Sequence, residues 1–160
     1  MNLYIAKKAF SLFGKYDVTD DQGTILYKVA GQPSLTDKLT VSDAAGNPVG
    51  MIRRKVLTTT GAWALYDHGT YIGELHDHHE LFKEELAVTH LDWHIAGTFW
   101  GWNYQIRRGI FTVIATVSPQ LFHATEHYVI NVEDPSLALP ALLVSLAVSL
   151  YSAPKQSESN

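Results

Sequence analysis

The sequence predicts a mainly β protein, a closed antiparallel barrel of about twelve strands enclosing a hydrophobic C-terminal α-helix. Three observations carry this prediction. Turn signals punctuate the first 130 residues, apolar residues recur at nearly regular intervals, and the tail is apolar yet short for a bilayer span.

The turn signals are Asp21-Gln22-Gly23, Gly46-Asn47-Pro48, Asp67-His68-Gly69 and Arg108-Gly109. Each lies between stretches where β-branched and aromatic residues alternate with polar ones, as in hairpins. "KYDVTDDQGTILYKV" is the clearest, followed by "KLTVSDAAGNPVGMI", "AWALYDHGTYIGEL" and "NYQIRRGIFTVIATV". No stretch before Asp134 shows a run of helical period.

The hairpins repeat. Tyr16, Leu39, Trp63, Leu86, Tyr104 and Tyr128 open successive hairpins, at steps of 18 to 24 residues. Ile5, Val29, Ile52, Leu75, Ile95 and Ile114 mark the returning strands, at steps of 19 to 24 residues. Two sets of six make about twelve strands joined by short connections. A propeller blade needs about twice this period, and no leucine-rich consensus is present.

The tail reads "DPSLALPALLVSLAVSLYSA" (134–153). Its apolar part, Leu137 to Tyr151, is fifteen residues, which a helix stretches over only about 22 Å of the roughly 30 Å a bilayer requires. Ser145 and Ser149 are the only polar positions on a helix otherwise apolar all round, and such a helix is usually buried in protein. A closed barrel of twelve strands leaves a lumen, because about eight already fill their interior with side chains. The helix, expected over about 135–151, fills it, with Leu143, Leu146 and Val148 inside. Asp134 reads as its N-cap with Pro135 at the first helical position, or Pro140 opens the regular part. Residues 1–153 then form one domain and 154–160 a disordered tail. A C-terminal membrane anchor is the minority alternative.

Composition narrows the function. With 46% hydrophobic and 18% charged residues the chain is globular. A net charge of −4 argues against non-specific nucleic-acid binding. With no cysteine, disulfides, thiolate metal sites and cysteine nucleophiles are excluded. Lys7 and Lys8 interrupt the N-terminal segment where a secretory signal would need an apolar core, so a cytoplasmic location is the expectation, peripheral at a membrane if the chain meets lipid.

The stretches "LYIAKKAFSLFGKYDVTDDQGTILYKV", "IAGTFWGWNYQI" (95–106), "GIFTVIATVS" (109–118) and "YVINVEDPSLALPALLVSLAVSLY" together resemble the LURP-one-related family, within the superfamily named for the tubby C-terminal domain. The resemblance covers roughly residues 2–153 and implies a twelve-stranded barrel around a central helix. It also implies lipid handling, since tubby-type domains bind phosphoinositide headgroups through basic residues on the outside of the barrel. Two positions depart from the pattern: Ser118-Pro119-Gln120 stands where relatives tend to carry Ser-Lys, and Tyr151-Ser152 where many end the helix on an acidic residue.

The candidate sites follow from charge. Lys7-Lys8, Arg53-Arg54-Lys55 and Arg107-Arg108 hold seven of the twelve positive charges. If hairpin closure gathers them, they form an anion site suited to phosphate; otherwise they are solvated strand faces. In "ELHDHHELFKEE" (74–85), His76 and His78 fall on one strand face and could supply two metal ligands. The match to a cupin metal motif fails, because the glycine before the histidines is misplaced, Glu84 lies too far on and the second cupin motif is missing. His90 and His94 flank a strand entry, and His123 and His127 sit in a polar connection. Trp100, Trp102, Tyr104 and Ile106 form a stripe that could stack a sugar or base, but reads better as inner barrel wall. No serine triad or glycine-rich phosphate loop is apparent. The expectation is a non-enzymatic binding module without a cofactor, for anionic lipid headgroups, a membrane surface or a protein partner. The alternative is a metal-dependent enzyme using His76 and His78.

Overall fold

The computed structural model describes residues 1–6, 14–32, 38–55, 61–80, 83–122 and 125–158, with side chains except at 32, 78–80, 83, 84, 100, 121, 122, 125 and 153–158. Twelve strands follow one another: β1 (Asn2–Ala6), β2 (Lys15–Thr19), β3 (Ile25–Gln32), β4 (Lys38–Asp43), β5 (Pro48–Arg54), β6 (Trp63–Asp67), β7 (Thr70–Glu80), β8 (Lys83–Val88), β9 (Trp93–Thr98), β10 (Asn103–Arg108), β11 (Thr112–Phe122) and β12 (Thr125–Val132). Each pairs antiparallel with its sequence neighbours, and β1 pairs with β12 to close the barrel. The four hairpins named from sequence are β2–β3, β4–β5, β6–β7 and β10–β11. Their turns close as their residues dictate. The Asp20 carboxylate accepts from the N–H groups of Gln22 and Thr24 at 2.9 Å each, and Asp43 does the same for Asn47 at 2.9 Å.

The repeating apolar residues are the inner wall. All twelve belong to the core; eleven are buried, and Tyr128 is half-buried with its ring stacked on Trp102 at 4.1 Å. They meet as direct cross-strand partners: Tyr16 with Val29, Leu39 with Ile52, Trp63 with Leu75, Leu86 with Ile95, and Ile5 with Tyr128. The sequence interval is therefore one strand pair with its turns, and the period of two keeps each apolar residue facing the lumen.

The lumen holds helix α1 (Ala138–Glu158). Leu142, Leu143, Val144, Leu146 and Ala147 are 0% exposed. The stretch 135–152 is long and apolar enough to cross a bilayer, but 72% of it is buried inside the barrel. The three serines at its buried level satisfy themselves: Ser145 donates to the Ala141 carbonyl at 2.8 Å, Ser149 to Leu146 at 2.5 Å, and Ser152 to Val148 at 2.8 Å. Such back-bonding keeps hydroxyls from standing unpaired in an apolar interior.

The structure shifts several expected boundaries. Asp134 does cap, accepting from the Ser136 N–H at 2.9 Å, but it caps a 3-10 turn over Pro135–Leu137, and the α-helix begins at Ala138. Pro140 lies in the first helical turn, where its missing N–H would have no intrahelical partner anyway. At the other end α1 runs to Glu158, into the stretch expected as a disordered tail from 154. The aromatic stretch near 100 is also not one strand. Phe99–Gly101 is a 3-10 turn and Trp102 is left-handed at φ 55°, so the stripe starts only at β10. Trp102, Tyr104 and Ile106 are buried in the wall, and the Trp100 side chain lies outside those described.

Helix and wall approach closely at Gly50, whose missing Cβ would stand 3.0 Å from Leu143 Cδ2 and 3.3 Å from Leu139 Cδ1. Gly50→Ala should cost about 1–3 kcal/mol in urea unfolding, as overpacking does. Combined with Leu143→Ala it should cost less than the sum of the two changes. Leu146→Ala should cost roughly 2–5 kcal/mol, and a chain truncated after Asp134 should show no cooperative thermal transition.

Candidate functional site

With the lumen occupied, the described hollows lie on the outer face and at the barrel ends. One is a groove of about 420 Å³ over β4, β5 and β6, lined by Lys38, Thr40, Val49, Met51, Tyr66 and Gly69 among others. Register explains it. Leu39, Ile52 and Leu65 point inward, so Thr40, Met51 and Tyr66 form a row outside, with Met51 opposite both of the others. One step along, Lys38 faces Arg53 directly across the β4–β5 ladder. Neither cation has a carboxylate partner among the described residues. Like charges placed directly opposite on neighbouring strands destabilise a sheet.

The rest of the basic run is committed elsewhere. The Arg54 guanidinium lies over the Trp63 ring, 5.9 Å from its centroid. Lys55 makes a salt bridge of 2.5 Å with Glu74. Its hydrogen bond to Lys55 holds the Glu74 carboxyl below its ordinary range, against the opposing effect of partial burial. Lys7 and Lys8 lie outside the described residues.

Arg107 and Arg108 do not join this group. Strand β10 is five strands from β5 in a closed ring of twelve and runs the opposite way, so the two arginine pairs sit at opposite ends and on nearly opposite sides. The convergence that the sequence left open does not occur between these two pairs, because strand direction puts them at opposite ends and the ring spreads them around its circumference. Arg107 instead donates to Gln105 Oε1 at 2.6 Å and to the Ile110 carbonyl. Lys38 went unrecognised from sequence, although a signal existed. Aligning Leu39 with Ile52 already makes Lys38 the partner of Arg53.

The histidines are also redistributed. His76 and His94 face outward on either side of Ala87, their common cross-strand neighbour on β8. With Thr89, His90 and Asp92 they line a hollow of about 360 Å³. The His78 side chain, expected to join His76, lies outside those described, as does His123. His127 is half-buried, edge-on to Tyr4 at 6.2 Å. Among the described residues no three of His, Asp or Glu are placed to hold a metal ion.

The Lys55–Glu74 pair yields a pH test. A carboxyl whose folded pKa is lowered stabilises fully above its unfolded value and loses that contribution as pH falls through its folded value. Thermal stability should therefore drop on acidification below about pH 4.5. Glu74→Gln should remove part of that drop and leave Lys55→Ala with little further effect.

Comparison with known proteins bears on the fold and the family. The chain is 23% identical over 160 residues to the uncharacterised protein YxjI of Bacillus subtilis, covering 98% of each. A crystal structure of an Arabidopsis thaliana protein superposes with a TM-score of 0.58 at 18% identity, over 90% of this chain and 88% of that one, a likeness of fold. The family model described as LURP-one-related matches residues 1–151. Strand order, central helix and a match across almost the whole chain agree: the protein belongs to the LURP-one-related family.

Proposed function

We propose that this protein is a binding module for a phosphate-bearing amphiphile, with the headgroup on Lys38 and Arg53 and the chain along the outer groove over Met51 and Tyr66. The observation that carries this reading is the facing pair of cations at the head of an apolar groove. An anion between them turns a repulsive cross-strand pair into two attractive contacts, and an arginine fork suits phosphate oxygens. The half-buried row beyond them offers an acyl chain apolar surface without requiring the lumen to open. A cytoplasmic, membrane-peripheral setting belongs to the same proposal.

Calorimetry with a water-soluble short-chain phosphatidic acid tests it. Binding should weaken as salt rises, since exposed charges are screened over about 8 Å at physiological ionic strength. Each near-surface cation contributes about 1 kcal/mol, so Lys38→Ala/Arg53→Ala should lose roughly thirty-fold in affinity. Wild type that ignores the lipid at low salt, or a double variant that binds equally well, defeats the proposal.

A further inference from the structure

The turn joining β10 to β11 carries the two most exposed large apolar side chains among the described residues, Phe111 at 93% and Ile110 at 79%. A hairpin turn ordinarily carries polar residues, and adjacent apolar side chains this exposed mark a surface that meets something apolar. The tip is held in this form. Gly109 takes the left-handed backbone at φ 59°, and the Arg107 guanidinium bonds both the Ile110 carbonyl and Gln105. Arg108 remains exposed beside it.

The tip also stands out from the barrel. The Glu133 N–H bonds the Ile114 carbonyl, and Phe111 lies three residues further along the strand. At about 3.3 Å per residue along the strand, Phe111 is roughly 10 Å past that bond on the β12 side, while on the other side β9 keeps pace as far as the Arg108–Trp93 pair, leaving residues 109–111 as the free tip. We propose that this tip inserts into a lipid bilayer, Ile110 and Phe111 entering the acyl boundary while the exposed Arg108 stays among the lipid phosphates. The reach matches the 5–10 Å to which interfacial elements bury their apolar groups. Two side chains are far too few for a standard protein interface, which takes about 800 Å² from each partner. The bilayer is a zwitterionic one. Asp92, Glu133 and Asp134 flank the base of the tip, so added anionic lipid gains nothing. This inference is independent of the outer groove, which lies on the other side of the ring.

The absence of cysteine allows a single label. An environment-sensitive fluorophore on Phe111→Cys should shift to the blue with phosphatidylcholine vesicles. The same fluorophore on Ala45→Cys, in a turn at the same barrel end, should not. Unlabelled protein should partition onto these vesicles, and Ile110→Ser/Phe111→Ser should lower the partition at least ten-fold with an unchanged thermal transition. Ile110→Ser/Phe111→Ser should still bind the soluble short-chain phosphatidic acid like wild type, which separates this test from that of the groove. Wild type that stays in solution at millimolar lipid, or equal shifts at both labels, overturns the proposal. So does a dimer that the serine variant dissolves without any vesicle binding, which would make a second copy the occupant.

Discussion

Everything in this structure depends on α1 filling the barrel. Twelve strands close with more interior width than their own side chains can occupy, and the remaining space must be water or protein. Here it is a helix apolar all round, and the wall is shaped to receive it, with Gly50 removing the side chain where Leu139 and Leu143 press closest. At the far end the helix is tied to the wall by Tyr151, whose hydroxyl donates to the Asp77 carboxylate at 2.7 Å, and Phe99 meets the same ring edge-on at 6.1 Å. Neither component is stable alone: the helix would expose leucines and the barrel would be empty.

A filled lumen also decides where function resides. Among the described residues the hollows lie on the outer face and at the barrel ends. Among the described residues the outer face departs from a plain solvated wall at the cation pair above the β4–β6 groove and at the histidines on either side of Ala87. Among the described turns the apolar tip of β10–β11 does so. Each departs from the local rule for its position; the cation pair lies far from the tip, whereas the histidine hollow adjoins it, His94 being the cross-strand partner of Arg107.

The strand count and the buried helix were legible in the sequence, because a period of two and a turn signal are local properties that each hairpin carries itself. Leu39 and Ile52, or Trp63 and Leu75, could be paired from the chain alone, and those pairs set the register of everything between them. Helix ends and the break at Phe99–Gly101 were less legible, since there competing local preferences differ by little. The Lys38–Arg53 pairing follows from the same hairpin register as Leu39 and Ile52. Whether Arg53 also meets Arg107 was not legible, because it depends on strand order and direction around a closed ring, which no residue encodes by itself. By itself the sequence determined what each strand buries, through alternation and apolar content. Only the tertiary structure decided how far apart outward charges on different hairpins lie, because closure of the ring, not spacing along the chain, sets distance across the surface.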